Sequence, residues 1–409
     1  MPGTCWLVRA GFSGRCAWAL DDEALLLTPE GHPPEAYPVR ELQGVGGDEY
    51  TVGLVVDSQT VALSRLGADG STLRERLARL WLPARTQALR LAGSGDGAPF
   101  AGAVTAGGAT FPFRALLFDD VLVFATPGRD VQPLFLALLA DVAHDRPAYR
   151  VTATGWDGAA TVFSKLAGQT DAFAAALADR RAGLAAEAAA ALASHLPALP
   201  LGGRAALGAA WPPGRMMELS ELERVAPGFT RALASSWLAM LPRKAQGETL
   251  LAWATAGKVF LGYSRSAADQ VPAQAPAEDA PEAPPASSDE AEGAEASGPG
   301  DPTAPLWLLA GRDDGWLLEC LSLADHATYR FAAGEQVPGL VSQLLCAPQF
   351  SRTALYQPLE ELVGDQAEFA PAARDLPFLG ALRARFAGRM IHTSVAAWKR
   401  ALDSPFPRA

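Results

Sequence analysis

The sequence predicts an α+β protein of three tandem units. Each is a mostly antiparallel, bent sheet or partial barrel closed by a C-terminal helix, and a helical connector and a helical tail complete the chain. Three observations carry that expectation. An apolar run, a short polar or glycine break and a second apolar run occur at 17–27 (AWALDDEALLL), 113–126 (FRALLFDDVLVFAT) and 250–263 (LLAWATAGKVFLGY), which is the pattern of a β-hairpin. Landmarks in the first two copies keep nearly constant spacing. Asp21-Asp22 and Asp119-Asp120 lie 98 residues apart, and Leu63-Ser64-Arg65-Leu66 and Phe163-Ser164-Lys165-Leu166 lie 100 apart. Each copy also ends in a strand pair that leads into an amphipathic helix.

Taken in order, the first unit covers 1–92. After its hairpin come two strands, with Tyr50, Val52, Leu54 and Val56 on one face of the first and 61–66 as the second, joined by an Asp57-Ser58-Gln59 turn. A helix follows, in which Thr72 and Glu75 have the spacing of a capping box. Leu73, Leu77, Leu80 and Trp81 make its apolar stripe, and Pro83 is expected to end or bend it. The second unit covers 98–200, entered through the linker GSGDGAP. It has a strand with Tyr149, Val151 and Ala153, a Trp156-Asp157-Gly158 turn and a returning strand to Leu166. A long helix from near Thr170 carries Phe173, Leu177, Leu184, Ala188 and Leu192 on one face and reaches His195.

Residues 201–245 read as a helical connector. The third unit covers 246–365, with the 250–263 hairpin, a late strand pair at 316–323 and 328–331 around Asp325-His326, and a helix carrying Val337, Leu340, Val341 and Leu344. It is interrupted at 266–303 by a Pro-, Ala-, Glu- and Ser-rich stretch with too little apolar surface to offset the entropy of ordering, so disorder is expected there. Loop-closure entropy grows only logarithmically with length, so such an insertion is compatible with the fold. The tail, 366–409, reads as helical, with Leu379, Leu382, Phe386 and Met390 apolar and Arg383, Arg385 and Arg389 polar.

The chain has 409 residues, 45 acidic and 34 basic, for a net charge of −11. Nine of the acids fall within 266–303, so the rest is nearly neutral and lacks the basic footprint of a nucleic-acid binder. The 30 Arg against 4 Lys, beside abundant Ala, point to GC-rich coding of a bacterial kind. Cys5, Cys16, Cys320 and Cys346 show no metal-binding spacing and are expected to be buried, reduced thiols, with a Cys5–Cys16 disulfide as the alternative in an exported protein. The N-terminus lacks a basic start followed by a clean apolar core, and no window reaches 18 uninterrupted apolar residues. The expectation is a cytoplasmic protein.

A strongly bent antiparallel sheet closed at one end by a C-terminal helix resembles the pleckstrin-homology superfold. The carrying stretches are the hairpins at 17–27, 115–126 and 252–263 and the strand-to-helix ends at 61–81, 161–179 and 328–345. Phosphoinositide-binding members of that family carry Lys and Arg in the first hairpin. Here two of the three turns are Asp21-Asp22 and Asp119-Asp120, so the resemblance does not imply lipid-headgroup binding.

Candidate chemistry is sparse. Asp21-Asp22 with Glu23, Asp119-Asp120 and Asp313-Asp314 are acid pairs, yet adjacent strand positions point to opposite faces, which favours turn residues over a shared ion. His32, His144, His195, His326 and His392 lie far apart, and no nucleophile motif accompanies them. The glycine-rich 93–102 lacks the ending of a phosphate loop and reads as a linker. Most of the ten Trp residues are expected in cores, with an exposed one marking a partner surface. The functional expectation is a non-enzymatic scaffold that binds a protein partner, with no catalytic, cofactor or metal residue assigned. One alternative is an enzyme or regulatory subunit with a site at an inter-unit cleft. Another is a membrane-surface adaptor acting through the tail arginines with Lys399 and Arg400.

Overall fold

The computed structural model describes residues 2–240, 244–264, 305–322, 327–349, 352–392, 395–402 and 404. The 266–303 insertion and the Asp325-His326 turn lie outside these. The fold is α+β, with three antiparallel sheets and accompanying helices.

The first sheet contains β1 (Pro2–Arg9), β2 (Phe12–Leu20), β3 (Ala24–Pro29), β4 (Glu35–Pro38), β5 (Gly44–Gly47), β6 (Thr51–Val56) and β7 (Gln59–Ser64). They are arranged β4-β3-β2-β1-β7-β6-β5. β1 is central: it pairs along its whole length with β2 and through Trp6–Val8 with β7. Asp57 and Ser58 both take positive φ between β6 and β7, the backbone of a primed hairpin turn. Helix α1 (Asp69–Ala88) then lies against the sheet with Leu73, Leu77 and Trp81 buried. It starts before the proposed capping box, so Thr72 sits inside it rather than at its cap. It also runs through Pro83, because Leu82, Arg85 and Thr86 continue the buried face and that packing outweighs one lost backbone bond.

The second sheet contains β8 (Ala98–Ala106), β9 (Ala109–Leu117), β10 (Val121–Ala125), β11 (Gln132–Phe135), β12 (Leu139–Asp145), β13 (Arg150–Gly155) and β14 (Ala160–Ser164). Its order, β11-β10-β9-β8-β14-β13-β12, repeats that of the first sheet strand for strand. The hairpins β2–β3 and β9–β10 are therefore topologically equivalent. Helix α2 (Thr170–His195) closes the sheet and buries Phe173, Leu177 and Leu184 against it.

The third sheet differs. Helices α3 (Leu201–Ala210), α4 (Leu219–Val225), α5 (Phe229–Ala232), α6 (Leu238–Met240) and α7 (Lys244–Trp253) precede most of it. Its strands are β15 (Met217–Glu218), β16 (Val259–Tyr263), β17 (Leu306–Arg312), β18 (Gly315–Cys320), β19 (Ala327–Ala332) and β20 (Phe386–Ile391), paired in simple sequence order. The hairpin expected at 250–263 is corrected: Leu250 and Trp253 lie on the buried face of α7, and only the second apolar run is a strand. β16 finds its antiparallel partner in β17, beyond the insertion.

Helix α8 (Val337–Cys346) follows β19 as expected. Beyond it lie α9 (Thr353–Tyr356), α10 (Ala370–Asp375), α11 (Pro377–Arg383) and α12 (Val395–Leu402). The helix expected through Phe386 and Met390 stops at Arg383, and β20 pairs with β19 instead. The stretches read as helical connector and helical tail thus each give a strand to the third sheet.

Both faces of that sheet are covered. Trp307, Leu309 and Leu318 join a core shared with the first sheet, while Leu306, Leu308, Ala310 and Leu317 join a second core built with α3 to α7. That is why β17 and β18 read as unbroken apolar runs. The first two sheets meet at the GVGG of β5, where the Gly128 N–H donates to Val45 O at 3.1 Å. A Cβ on Gly46 would stand 2.7 Å from Gly128 N, whereas one on Gly53 would meet nothing nearer than 4.0 Å. Gly46→Ala should therefore cost about 1–3 kcal/mol from forced backbone movement. Urea unfolding of this variant beside Gly53→Ala measures the difference, and equal losses would mean that the approach at β5 is not tight.

Candidate functional site

A cleft of about 470 Å³ lies between the second and third sheets, beside the connection that leaves the first unit. Its walls come from the 92–94 connection, the Asp120 turn between β9 and β10, α2, the start of β17 and the end of α8. Sequence spacing could not have assembled these pieces. The linker glycines contribute by close approach: a Cβ at Gly93 would overlap Asp120, and one at Gly95 would stand 2.9 Å from Asp119 Oδ2. Ser94 O accepts the Asp119 N–H at 3.1 Å. The GSGDGAP stretch is thus a linker moulded onto the acidic turn.

Both polar and apolar groups line the cleft. Among them are Ser94, Asp120 and Cys346, whose thiol is pushed well above its ordinary range by burial and then by the Asp120 charge. At Gly214, φ is +92°, and a Cβ there would collide with the Cys346 sulfur. Elsewhere in the cleft are Ser264, Trp307 and Arg352: Trp307 Nε1 donates to Ser264 Oγ at 3.3 Å, and the Arg352 guanidinium lies 5.9 Å from the Trp307 ring. Leu184, Leu318, Leu344 and Leu355 supply the apolar lining.

A second polar constellation, not anticipated from the sequence, is sealed between β18, β19 and α12. His392 Nε2 lies 3.4 Å from Glu319 Oε2 and 2.9 Å from Thr328 Oγ1. The same Thr328 hydroxyl donates to Glu319 Oε2 and accepts from Trp398 Nε1 at 2.8 Å. All four side chains are almost fully buried. The one signal in the sequence is an acid inside the apolar run GWLLEC. The carboxylate meets Nε2 on the hydroxyl's own side of the ring, so this is not a relay in which an acid orients a base toward a nucleophile.

The acid pairs are spread among turns and ion pairs. Asp21 Oδ1 accepts the N–H groups of Glu23 and Ala24 at 2.8 and 2.7 Å, and these bonds hold its carboxyl below the usual range. Asp22 meets Arg76 at 3.1 Å, Asp119 meets Arg180 at 3.6 Å, and Asp313 meets Lys258 at 2.6 Å. The described histidines remain apart. His32 packs edge-on against Phe12, His144 approaches Asp171, and His195 stacks on Trp237 at 4.3 Å. Burial lowers the His195 pKa, so its ring favours the neutral form. Among the described residues no group of three His, Cys, Asp or Glu could hold a metal ion.

Cys5 and Cys16 face each other across β1 and β2 as free thiols, and burial pushes Cys5 up to about 12. Eight of the ten Trp side chains are buried, Trp6 is half-buried, and Trp156 is exposed beneath the Arg215 guanidinium at 3.7 Å. Three of the tail arginines make contacts within the fold. Arg383 donates to Ala354 O, Arg385 to Ala381 O, and Arg389 covers the Tyr356 ring. Strand β20 therefore carries Arg389 where a helix was expected, while Lys399 and Arg400 lie exposed on helix α12. Among the described residues, no helix is long and apolar enough to cross a membrane.

No protein-family model matches the chain, and no curated protein does. Among solved structures, a chain from the structure of the Spt16D Pob3N heterodimer aligns over 42% of this chain and 87% of its own length. Identity is 13% and the TM-score is 0.15, too distant a likeness to bear on fold or function.

Proposed function

We propose that the protein is a non-catalytic, cytoplasmic scaffold that binds a protein partner along the open edge of a pleckstrin-homology-like unit. Support for the family comes from the repeated strand order of the first two sheets, each followed by a closing helix. The observation that carries the binding role is β12. It is seven residues long, the longest edge strand among the described residues, and its strand partner is β13; Arg181 donates to the Leu139 and Ala140 carbonyls at 3.1 and 2.8 Å, so the open part of the edge is 141–145. Its inner-facing Ala140, Val142 and His144 are half-buried, while Asp141, Ala143 and Asp145 are exposed. By contrast, the β5 edge of the first sheet is closed off by the Gly128 loop. An open edge offers unpaired backbone groups to an incoming strand. Exposed Trp156 follows Gly155, which pairs with Leu139 at one end of that edge, and a rigid aromatic there adds an anchor.

Adjacent residues in a strand point their N–H groups to opposite sides. One of Val142→Pro and Ala143→Pro must therefore remove only an outward N–H and keep the ladder to β13. Whichever variant retains the native circular dichroism and melting midpoint should lose the partner captured by the tagged wild-type chain in its own cells. Recovery of the same partner by that folded variant would end the edge reading.

A second reading is favoured by the cleft itself. Its volume is in the range of small-molecule sites, and its polar groups come from separate parts of the chain. In this reading the protein is a regulatory subunit whose units are held together by a small ligand at their junction.

A further inference from the structure

We infer that Cys5 and Cys16 form a redox site, two thiols placed to join as a disulfide across β1 and β2 by exchange with a small disulfide of the glutathione class. The register of the first hairpin sets the pair. Cys5 lies directly opposite Cys16, between the pairs Thr4–Ala17 and Trp6–Arg15. Opposed residues of antiparallel strands have Cα atoms about 4.5 or about 5.5 Å apart, and both spacings fall within the span of about 4.4–6.8 Å that a disulfide bridges. Alternation sends both side chains to one face of the sheet, where they enter the same core at 6% and 3% exposure. The other two cysteines have no such arrangement. Cys320 lies opposite Trp307 of β17, and Cys346 ends α8.

The surroundings give the two sulfurs different parts. Cys16 Sγ donates to Ala17 O at 3.1 Å. Burial pushes both thiols above their ordinary range, Cys5 up to about 12, but for Cys16 bonds from the Cys5 thiol and the Thr28 N–H act in the opposite direction. The Cys16 thiolate therefore forms first, with the Cys5 S–H as its donor. It attacks one sulfur of oxidised glutathione and expels a glutathione thiolate, which leaves a mixed disulfide on Cys16. Cys5 then gives up its proton and attacks the Cys16 sulfur, expelling the second glutathione thiolate and closing the bridge. Two cysteines are oxidised, one glutathione disulfide is reduced, and the two released protons go to the two glutathione thiolates. In a reducing compartment the pair rests as the free thiols of this structure.

The test holds the reduced, folded full chain in oxidised glutathione at two pH values one unit apart near neutrality. Remaining thiols are blocked with N-ethylmaleimide in urea, and the chain is digested with trypsin without reductant. Cleavage after Arg9, Arg15 and Arg40 separates residues 1–9 from 16–40, so the two travel together, lighter than their sum by two hydrogens, only when bridged. The linked pair should accumulate about tenfold faster at the higher pH, because the thiolate fraction rises about tenfold per unit below the pKa. The oxidised chain should melt several degrees higher, since the bridge closes the hairpin loop. Cys5→Ala should trap glutathione on Cys16, whereas Cys16→Ala should leave Cys5 free over the same period. Where a variant fails to fold, the wild-type peptide map alone decides. Glutathione retained by Cys5 but not by Cys16 would overturn the order of attack. No linked pair from the folded chain, or a bridge that forms only when the oxidant is added in urea, would overturn the site itself.

Discussion

Arg85→Met is expected to remove about 3–5 kcal/mol of stability, the cost of breaking a buried ion-pair group by taking away its cation. Arg85 is fully buried on α1. Its Nε donates to Asp130 Oδ1 at 2.9 Å, its Nη2 also reaches Asp130, and the same nitrogen donates to Asp375 Oδ2 at 2.8 Å. Nη1 adds a bond to Arg40 O at 3.3 Å. One guanidinium thus ties α1 to the loop after β10 and to the end of α10. Methionine matches the stem but leaves Asp375, itself 5% exposed, with less positive charge around it.

Lysine should fail nearly as badly, since an ammonium cannot reproduce the fork that serves two carboxylates. Burial alone would raise the Asp375 pKa, but the bonds from Arg374 and Arg85 outweigh it and the net shift is downward. A depressed carboxyl stabilises the fold above its unfolded pKa and loses that contribution as pH falls through the folded value. The acid-unfolding midpoint should accordingly move to higher pH in Arg85→Met. Urea titrations at neutral pH and a pH series check both statements. A loss below about 1 kcal/mol would show that the trio does not lock these elements together.

The first two sheets were legible because their signals are local. Alternation in 51–56, the turn at Asp57-Ser58 and the stripe of α1 each depend on residues a few positions apart. Duplication then let one copy support the other. The third sheet hid for a physical reason: with both faces buried, its strands lose the period of two, and an apolar run flanking a turn fits a helix as well as a strand. Leu250–Trp253 reads as strand but is helical, and Phe386–Met390 reads as helix but is a strand, on that account. β1 was not legible although it forms a local hairpin with β2, because only Cys5 and Leu7 of its eight residues are fully buried and so short an alternation does not stand out. The cleft was illegible for a different reason. Asp120 could be noticed as half of an acid pair, but nothing in the sequence puts it in the same cleft as Arg352.

Trp211→Ala should cost about 3–5 kcal/mol and loosen the third region selectively. Trp211 has no exposed surface and sits in Trp-Pro-Pro-Gly, a sequence that reads as a chain break. Its indole N–H is shared between Arg215 O at 3.0 Å and Leu261 O at 3.1 Å, and its own carbonyl accepts Tyr263 O–H at 2.9 Å. Rings of Tyr263, Phe229 and Trp237 lie 4.9, 5.6 and 6.3 Å away. The residue therefore fastens the segment after α3 to β16, and removing it opens a cavity in the core that makes the connector part of the third region. Trp211→Phe separates the two contributions. It keeps most of the ring packing but leaves two buried carbonyls short of a donor, a loss of about 1–3 kcal/mol. Hydrogen exchange locates the effect: amides of β16 and α7 should lose protection in both variants, while those of β1 and β2, in a different core, should keep theirs. Uniform loss across all three sheets would mean that the molecule opens as one cooperative unit, and the cleft between the sheets would then owe its shape to global stability rather than to the separate rigidity of its walls.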